Sequence, residues 1–332
     1  MNTPIVLVTG ASGFVGQHVV RTLCDDGFAV RAGIHSPHGG AFSGAADTVE
    51  GVPIDLLDRT SLMKALEGVA GVYHFAALVD SSATREQLVQ INGEGTKNVW
   101  KCAAESGVRR ALYCSSTAVY GLLARANGMI TEDVRPRAIE PYGYSKLMGE
   151  RAAMEIAAHT GLHTTIIRPV AIFGPGEHTP FGRSFRGAVP SKLLVAGGFQ
   201  HRRFSYVHVE DVAGAAVHLM RKEIPCGQIF NIAVNEPIAY EEAFQAYIRV
   251  LGNAGRSYAR IRLLGLISAL LHTLPPAALG MANRLGEGFM FRVWHPGFDL
   301  NYSSGKLLET GFAFRWKEFE EVLASCVEKG RA

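Results

Sequence analysis

The sequence lacks the features that typify secreted, metal-binding or nucleic-acid-binding proteins. Its five cysteines are odd in number, and no two of them stand at the spacing of metal ligands. They therefore predict neither a disulfide framework nor a metal site, and they fit a reducing compartment. The net charge is only +3, and the densest basic cluster is His201-Arg202-Arg203. Without a long basic stripe and interleaved aromatic residues, we do not expect nucleic acid as a partner.

Targeting signals and repeats are also missing. The first predicted strand begins at Pro4 or Ile5, which leaves no room for a secretory signal, so we expect a cytoplasmic protein. No internal repeat of roughly 20–50 residues is present. Charged residues make up 19% and hydrophobic residues 48% of the chain. These proportions favour a packed globular enzyme over a disordered chain.

One stretch, residues 263–282, contains no formally charged residue. Its length would suit a membrane span. However, Pro275-Pro276 divides it, and proline breaks a helix by removing a backbone donor. We interpret the stretch as a buried helix and turn in the substrate lobe. Peripheral membrane contact is the alternative, and a true span is the least favoured interpretation.

Strand and helix patterns alternate over the first half of the chain. The pattern predicts strands over 5–9, 29–34, 71–75, 111–115 and 164–168, and helices over 14–23, 61–66, 85–104 and 142–159. Such alternation predicts an α/β fold with a doubly wound, Rossmann-like parallel sheet. Residues 204–209 and 228–232 are predicted to be strands that return to this sheet, and 239–251 is predicted to be a helix. His208 and Asp211 are predicted to cap a helix that starts at Val212.

These patterns predict two interleaved parts. Residues 1–173, with returning segments at about 204–235, are expected to form a dinucleotide-binding domain. Residues 174–203 and 236–332 are expected to form a smaller substrate-binding lobe.

A glycine-rich turn between the first strand and the first helix is the strongest N-terminal signal. Gly10 permits a tight turn, Gly13 lets backbone N–H groups approach a pyrophosphate, and Gly16 allows close packing of helix and strand. The helix N-terminus favours the negative charge of the phosphates. The predicted cofactor contacts in this turn are Gly10, Ser12, Gly13, Phe14, Val15 and Gly16.

The end of the second strand is where the adenosine ribose is expected. An acidic residue there favours NAD, and none is present. His35 and Ser36 can accept a 2′-phosphate, so we predict NADP as the cofactor and keep NAD as the alternative. An uninvolved loop is the competing interpretation of both residues. Asp55 and Leu56 are predicted to hold the adenine edge, unless Asp55 instead caps a helix from Leu56 onward.

The second strong signal is Tyr142-Gly143-Tyr144-Ser145-Lys146. Residues four apart lie on one helix face, so Lys146 accompanies Tyr142 rather than Tyr144. A nearby ammonium lowers the pKa of a phenol from about 10, which would make Tyr142 a general acid/base. Ser116 follows the fourth strand at the edge that usually faces ligands. We predict that it binds the substrate oxygen, although such a serine is also typical of a turn or cap.

Together these motifs resemble the extended short-chain dehydrogenase/reductase family. The resemblance also rests on His74-Phe75-Ala76-Ala77 and on residues 168–176 and 206–212. It implies hydride transfer at a nicotinamide ring, with Ser116, Tyr142 and Lys146 as the catalytic triad and Lys146 on the nicotinamide ribose. It further implies cofactor contacts at Ala76, Ala77 and Pro169, Asn92 beside the site, and a homodimer formed through the two long helices.

Two positions distinguish branches of this family. Nucleotide-sugar members commonly have an Asn where this chain has Ala171, and often an Arg where it has Phe204. Arg203 is predicted to lie on the other strand face, and an apolar residue cannot balance a buried pyrophosphate. Arg168-Pro169 and the apolar stretch resemble the 3β-hydroxysteroid dehydrogenase and dihydroflavonol reductase-like branch. We predict NAD(P)-dependent interconversion of a secondary alcohol and a ketone on a sterol-, terpenoid- or flavonoid-like molecule. A nucleotide-sugar epimerase or dehydratase is the alternative.

Overall fold

The structure is a computed structural model that describes residues 3–35, 48–80, 82–125, 128–138, 140–177, 202–250 and 299–328. Ser36, His201 and the apolar stretch 263–282 lie outside the described residues, as does most of the predicted substrate lobe. Among the described helices, none combines the length and hydropathy that crossing a bilayer requires.

A seven-stranded parallel sheet forms the centre of the molecule. The strands of the chain are β1 (Ile5–Thr9), β2 (Ala29–Ile34), β3 (Val49–Pro53), β4 (Gly71–His74), β5 (Arg110–Cys114), β6 (His163–Pro169), β7 (Ala171–Phe173), β8 (Arg203–Phe204), β9 (Tyr206–His208), β10 (Gln228–Ile232) and β11 (Ile238–Ala239). The sheet has the order β10-β6-β5-β4-β1-β2-β3, and all its pairings are parallel. The order reverses between β1 and β4, which creates a crevice at the carboxyl ends of the strands. The predicted doubly wound sheet is confirmed.

Helices cover both faces of this sheet. They are α1 (Phe14–Asp25), α2 (Arg59–Leu66), α3 (Arg85–Leu88), α4 (Gly95–Glu105), α5 (Pro141–Thr160), α6 (Val209–Arg221), α7 (Tyr240–Val250), α8 (Gly305–Glu309) and α9 (Phe319–Glu328). One apolar core lies where α1 and α6 pack together, and a second lies under α2, α4 and α5. Since both faces are covered, inner strands such as β1 are apolar along nearly their whole length.

Two predicted elements differ from the structure. The helix predicted over 85–104 is divided by a π-helical turn, Val89–Glu94, between α3 and α4. The strand predicted over 204–209 is two short strands outside the large sheet: β8 pairs with β11, and β9 pairs with β7. Ser205 separates them because its N–H donates to the Leu300 carbonyl at 2.8 Å. Only the strand predicted over 228–232 joins the sheet.

The start of α6 also differs from its prediction. The helix begins at Val209, three residues early, and the His208 side chain caps it by accepting the Glu210 N–H. Asp211 lies inside the first turn and accepts the N–H groups of Arg315 and Trp316. His208 is therefore the cap, while Asp211 instead fixes the segment that precedes α9.

Candidate active site

The glycine turn has the geometry that its sequence predicts. Gly10 has a φ of +68°, a left-handed conformation that favours glycine. The Gly13 N–H donates to the Gly10 carbonyl at 3.0 Å and closes the turn. A Cβ atom at position 16 would overlap that same carbonyl oxygen, so only glycine lets α1 start this close to the strand end.

The start of α1 fits a phosphate group. Gly13 is its N-cap residue and supplies no side-chain acceptor to the N–H groups of the first turn. Among the described residues, a Cβ at Gly13 would meet only the Gly10 oxygen, at 3.2 Å, so these residues leave the other side of the turn open. The Phe14 ring is 8% exposed and packs edge-on against His18, so only the backbone of this residue is placed to meet a ligand at the helix start. Uncapped N–H groups beside open space are what an anion requires.

Near the expected adenosine ribose, β2 and the position after it contribute two basic residues, Arg31 and His35. Arg31 is committed to the protein: it pairs with Glu50 at 3.1 Å and donates to the carbonyls of Ala65 and Glu67. His35 follows β2 and is exposed. Of these two basic side chains at the end of β2, it is therefore the His35 imidazole that is exposed to solvent.

Asp55 does not cap a helix, so that alternative is wrong. Its Oδ1 accepts the Leu57 N–H at 2.9 Å in a local turn. The helix α2 begins later, at Arg59, and Asp58 caps it. Leu56 is buried, and its carbonyl accepts a hydrogen bond from Asn98 Nδ2 at 3.0 Å.

A buried relay connects the glycine turn to the end of β4. His74 accepts a hydrogen bond at Nδ1 from the Thr9 hydroxyl at 2.6 Å, and Thr9 Oγ1 accepts the Ala76 N–H. The direction follows from Thr96: its hydroxyl proton is used on Asn92, so the neutral imidazole must donate from Nε2 and accept at Nδ1. Its Nε2 donates to Thr96 Oγ1 at 3.0 Å, and Thr96 donates to the Asn92 carbonyl. Burial lowers the pKa of His74 to about 3, so the ring is neutral. The relay holds the backbone of Ala76 against Gly10, where a Cβ would be 2.6 Å from the Ala76 nitrogen.

Asn92 lies on the π-helical turn and acts through its side chain. Its Oδ1 accepts the Leu78 N–H at 2.7 Å, and its Nδ2 donates to the Leu78 carbonyl and to Ser145 Oγ at 3.0 Å each. The carboxamide thus joins the segment after Ala76 and Ala77 to α5. The extra residue of a π turn often serves to aim such a side chain.

The start of α5 brings Tyr142 to Ser116. Gly143 touches the Ala118 carbonyl so closely that a Cβ would overlap it, which lets α5 lie over the turn after β5. Ser116 accepts the Ala118 N–H at Oγ, and its hydroxyl is close enough to Tyr142 to stabilise the phenolate. Thr117, the next residue, donates to the Pro169 carbonyl at 3.3 Å, so the end of β6 adjoins the same turn. Ser116, Tyr142 and Pro169 therefore meet at one edge of the sheet.

The charge state of this site differs from the predicted one. Burial raises the pKa of the Tyr142 phenol above its ordinary value, and only the Ser116 hydroxyl opposes this effect. Lys146 is 2% exposed, and its Nζ lies 4.4 Å from the centre of the Tyr113 ring. Burial lowers the pKa of Lys146 to about 8. The predicted lowering of the Tyr142 pKa by Lys146 is therefore not found, because the ammonium rests on Tyr113 instead.

Lys146 lacks an acceptor within the part of the chain that the structure describes. No carboxylate or hydrogen-bond acceptor is found there for its ammonium. A buried cation without an acceptor calls for a polar ligand. The hydroxyl groups of a ribose have the required chemistry.

The sequence interpretation missed the ion pair behind this lysine. Glu150, one turn after Lys146, pairs with Arg168 at 2.6 Å, and both side chains are buried. An acidic residue four positions after the lysine was the available signal.

The two branch-distinguishing positions are apolar in their surroundings as well. Phe204 is 2% exposed, and its ring lies 4.7 Å from that of Tyr240 and 5.9 Å from that of Phe319. Arg203 lies on the exposed face, as predicted, and donates to the Pro237 carbonyl. Ala171 is half-buried on β7 opposite Tyr206.

Comparisons with known proteins agree with this architecture. The model of the NAD-dependent epimerase/dehydratase family matches residues 6–233. The 3 beta-hydroxysteroid dehydrogenase/Delta 5→4-isomerase of Mycobacterium tuberculosis is 30% identical over 272 residues, which are 78% of this chain and 72% of that protein. Cinnamoyl-CoA reductase 1 of Petunia hybrida is 33% identical, over 67% of this chain and 69% of its own. Among solved structures, MoeE5 in complex with UDP-glucuronic acid and NAD has a TM-score of 0.76 at 24% identity, with 98% of each chain covered.

Proposed function

Since the chain belongs to the NAD-dependent epimerase/dehydratase family, whose members are extended short-chain dehydrogenases/reductases, we propose that it interconverts a secondary alcohol and a ketone on a hydrophobic small molecule. The substrate class proposed is sterol-, terpenoid- or flavonoid-like. The relatives named for a hydroxysteroid and for a cinnamoyl thioester support this class.

The residues present fit a nicotinamide dinucleotide. The uncapped start of α1 and the open side of Gly13 would hold the pyrophosphate. Lys146 would hold the nicotinamide ribose, because its buried ammonium needs acceptors. When bound, the nicotinamide supplies or accepts the hydride.

Tyr142 moves the proton that accompanies this hydride. Its phenol donates the proton to a ketone oxygen or takes it from an alcohol. Ser116 donates a hydrogen bond to the same substrate oxygen, since it already lies beside the phenol. A raised pKa keeps Tyr142 protonated in the free chain, so proton removal depends on positive charge brought beside it.

The burial of Phe204 is the observation that carries the substrate class. At this position of β8, the Phe204 ring packs in an aromatic cluster. The side chain of the adjacent Arg203 points to the opposite side of the strand. The strand therefore offers no cation to a diphosphate, whose burial without one would be costly.

The test is turnover of a 3β-hydroxysteroid with NAD or NADP, followed at the absorbance of the reduced cofactor. Tyr142→Phe should lower the turnover by about 10²–10⁴-fold, with cofactor affinity retained. Tyr144→Phe is the matched control, because the Tyr144 ring packs under Arg85 and not on Ser116. Full activity of Tyr142→Phe, or equal losses in both variants, would refute the assignment.

A nucleotide-sugar epimerase or dehydratase is the second candidate, favoured by the backbone likeness to MoeE5. Such an enzyme would change the identity of a UDP-sugar without net reduction of the cofactor. Chromatography of UDP-glucose after incubation distinguishes the two functions. A converted sugar, together with no oxidation of hydrophobic alcohols, would replace the first candidate.

We further propose that NADP is preferred over NAD. The support is the exposed His35 after β2 and the lack of an acidic residue in that strand. His35→Asp places a carboxylate there and should shift the ratio of NADPH to NADH affinity toward NADH by tenfold or more, roughly the effect of one charged hydrogen bond. Titration with both reduced cofactors measures this ratio, and an unchanged ratio contradicts the proposal.

A further inference from the structure

A row of buried charges lies on the inner face of α5, beside the proposed acid–base pair. Lys146 and Glu150 are one helical turn apart on one face. They are 2% and 4% exposed. Lysine and glutamate are almost never buried this far without partners. Each of the two therefore needs a physical explanation.

The partner of Glu150 is Arg168, which is also 2% exposed. Arg168 donates from Nε to Oε1 at 2.8 Å and from Nη2 to Oε2 at 2.6 Å, so both carboxylate oxygens are used. Its Nη1 donates to the Tyr120 hydroxyl at 2.9 Å, which in turn donates to Asn231 Oδ1. A bidentate pair with a third anchor fixes the guanidinium, and with it the carboxylate, in one place.

Lys146 has no comparable partner among the described residues. A carboxylate four residues along a helix is the usual partner for a lysine. Here that carboxylate faces Arg168 instead, and the ammonium lies over the Tyr113 ring. Arg168 thus competes successfully with Lys146 for Glu150.

We propose that Glu150 and Arg168 are positioning residues for Lys146. Arg168 retains the Glu150 carboxylate, so that the Lys146 ammonium remains available to the dinucleotide. Glu150 keeps a negative charge one turn away, which holds the lysine in its protonated form. This inference rests on the proposed function, because it concerns the same cofactor site.

The groups around Lys146 come from several elements. Glu150 on α5 and Cys114 on β5 act on its charge, its ammonium lies over the Tyr113 ring of β5, and it helps to lower the pKa of His74 on β4. Tyr142 lies one turn before it on α5, and Arg168 on β6 pairs with Glu150. On the helical segments packed against α5, Arg85 packs on Tyr144 and Glu94 pairs with Lys97.

Among these groups, Glu150 is the anion, since its carboxylate pairs with the Arg168 guanidinium. Burial lowers the pKa of Lys146 to about 8, while Cys114 and Glu150 oppose this effect. Burial raises the pKa of Cys114 to about 11, so its thiol is uncharged near pH 8. His74, with a pKa of about 3, is neutral there as well. The carboxylate of Glu150 is what remains to support the ammonium.

The pH dependence of cofactor binding tests the proposal. NADH or NADPH, whichever binds the wild-type chain more tightly, is titrated by fluorescence from about pH 6.5 to about pH 9.5, the range over which Lys146 is expected to lose its proton. The wild-type affinity should fall with a midpoint near pH 8, and Lys146→Met should lack this transition.

Two single variants should move the midpoint in opposite directions. Glu150→Gln removes the anion and leaves the Arg168 cation, so the midpoint should fall by about one pH unit. Arg168→Met removes the cation and frees Glu150 for Lys146, so the midpoint should rise by a similar amount. The double variant carries neither charge and should return toward the wild-type midpoint.

Opposite shifts support the proposal, because a merely structural pair would lower the melting temperature without this pattern. Unchanged midpoints, or shifts in the same direction, overturn it. If Arg168→Met fails to fold for want of a buried partner, Glu150→Gln decides alone: a lower midpoint supports the proposal and an unchanged one overturns it. A wild-type chain that binds neither cofactor overturns the proposed function too, whereas binding with unchanged midpoints overturns this inference only.

Discussion

Replacing Gly16 with alanine should destabilise the chain, although alanine is the better helix former. In a helix interior, this replacement alone stabilises by about 1 kcal/mol. At position 16 the new Cβ would overlap the Gly10 carbonyl oxygen and lie 2.8 Å from the Gly10 carbonyl carbon and 3.0 Å from the Ala11 Cα. All three atoms are backbone atoms of the glycine turn, so no side chain can rotate away.

The start of α1 must therefore move away from the turn. Overpacking of this kind costs about 1–3 kcal/mol, which exceeds the gain in helix propensity. We expect a net loss of up to about 2 kcal/mol and, for a chain of this length, a melting temperature lower by up to about 3 °C. The same movement displaces the N–H groups of the first turn, so cofactor affinity should fall as well.

Gly214 in α6 is the matched control for this substitution. A Cβ there would meet only ring atoms of Phe312, at 3.7 and 3.9 Å, which is ordinary contact. Gly214→Ala should raise the free energy of unfolding by about 0.5–1 kcal/mol. Circular dichroism during thermal unfolding gives the sign for both variants. A Gly16→Ala protein as stable as the wild type, with unchanged NADPH affinity, would refute the close-approach reasoning.

Three further substitutions examine other parts of the site. Gly13→Ala should lower the melting temperature slightly, because the new Cβ meets the Gly10 carbonyl oxygen at 3.2 Å and alanine is a poorer N-cap residue than glycine. It should weaken cofactor binding in calorimetry by tenfold or more, as the loss of roughly one charge-assisted hydrogen bond would. Asn92→Asp keeps the shape but removes the donors to Leu78 and Ser145, so urea unfolding should show a loss of about 1–3 kcal/mol; a loss below this range would contradict the clamp. His74 has a folded-state pKa of about 3, below the unfolded value, so the unfolded state binds more protons below about pH 6.5 and stability falls on acidification. By pH 5 this amounts to about 2 kcal/mol, and His74→Gln should flatten that slope in urea titrations.

The elements that carry strong local signals could be predicted from the sequence. The bounds of β1 and β2 agree with their mainly apolar runs, because strands covered on both faces favour apolar residues. Arg31 in β2 is the exception, and its pairing with Glu50 accommodates it. The glycine turn follows from backbone requirements that only glycine meets, at Gly10 through its φ and at Gly16 through contact. The start of α5 at Pro141 agrees with the preference of proline for a first helical turn.

Other features depend on contacts that no local pattern contains. The strand β3 lies at the edge of the sheet, with Glu50 and Gly51 exposed, so it lacks the apolar run of an inner strand. The sequence of the π-helical turn gives no signal for an extra residue, and the turn is stabilised by the hydrogen bonds of the Asn92 side chain with Leu78 and Ser145. The division of the strand predicted over 204–209 requires the Leu300 segment, which is nearly a hundred residues away in the chain.

The electrostatics of the site depend on tertiary burial in the same way. Spacing places Tyr142 and Lys146 on one helix face, and from spacing alone the ammonium should ionise the phenol. Burial reverses this expectation, because it raises the pKa of Tyr142 and lowers the pKa of Lys146. The neutral form of each side chain is thereby favoured over its charged form. A protein that only needed stability would fill such a crevice with apolar groups, because an unpaired buried ammonium is destabilising. A buried Lys146 beside a Glu150 that pairs with Arg168 is therefore explained if a bound dinucleotide supplies the acceptors for the lysine. On this account, Tyr142 becomes an effective acid–base group only when the dinucleotide binds.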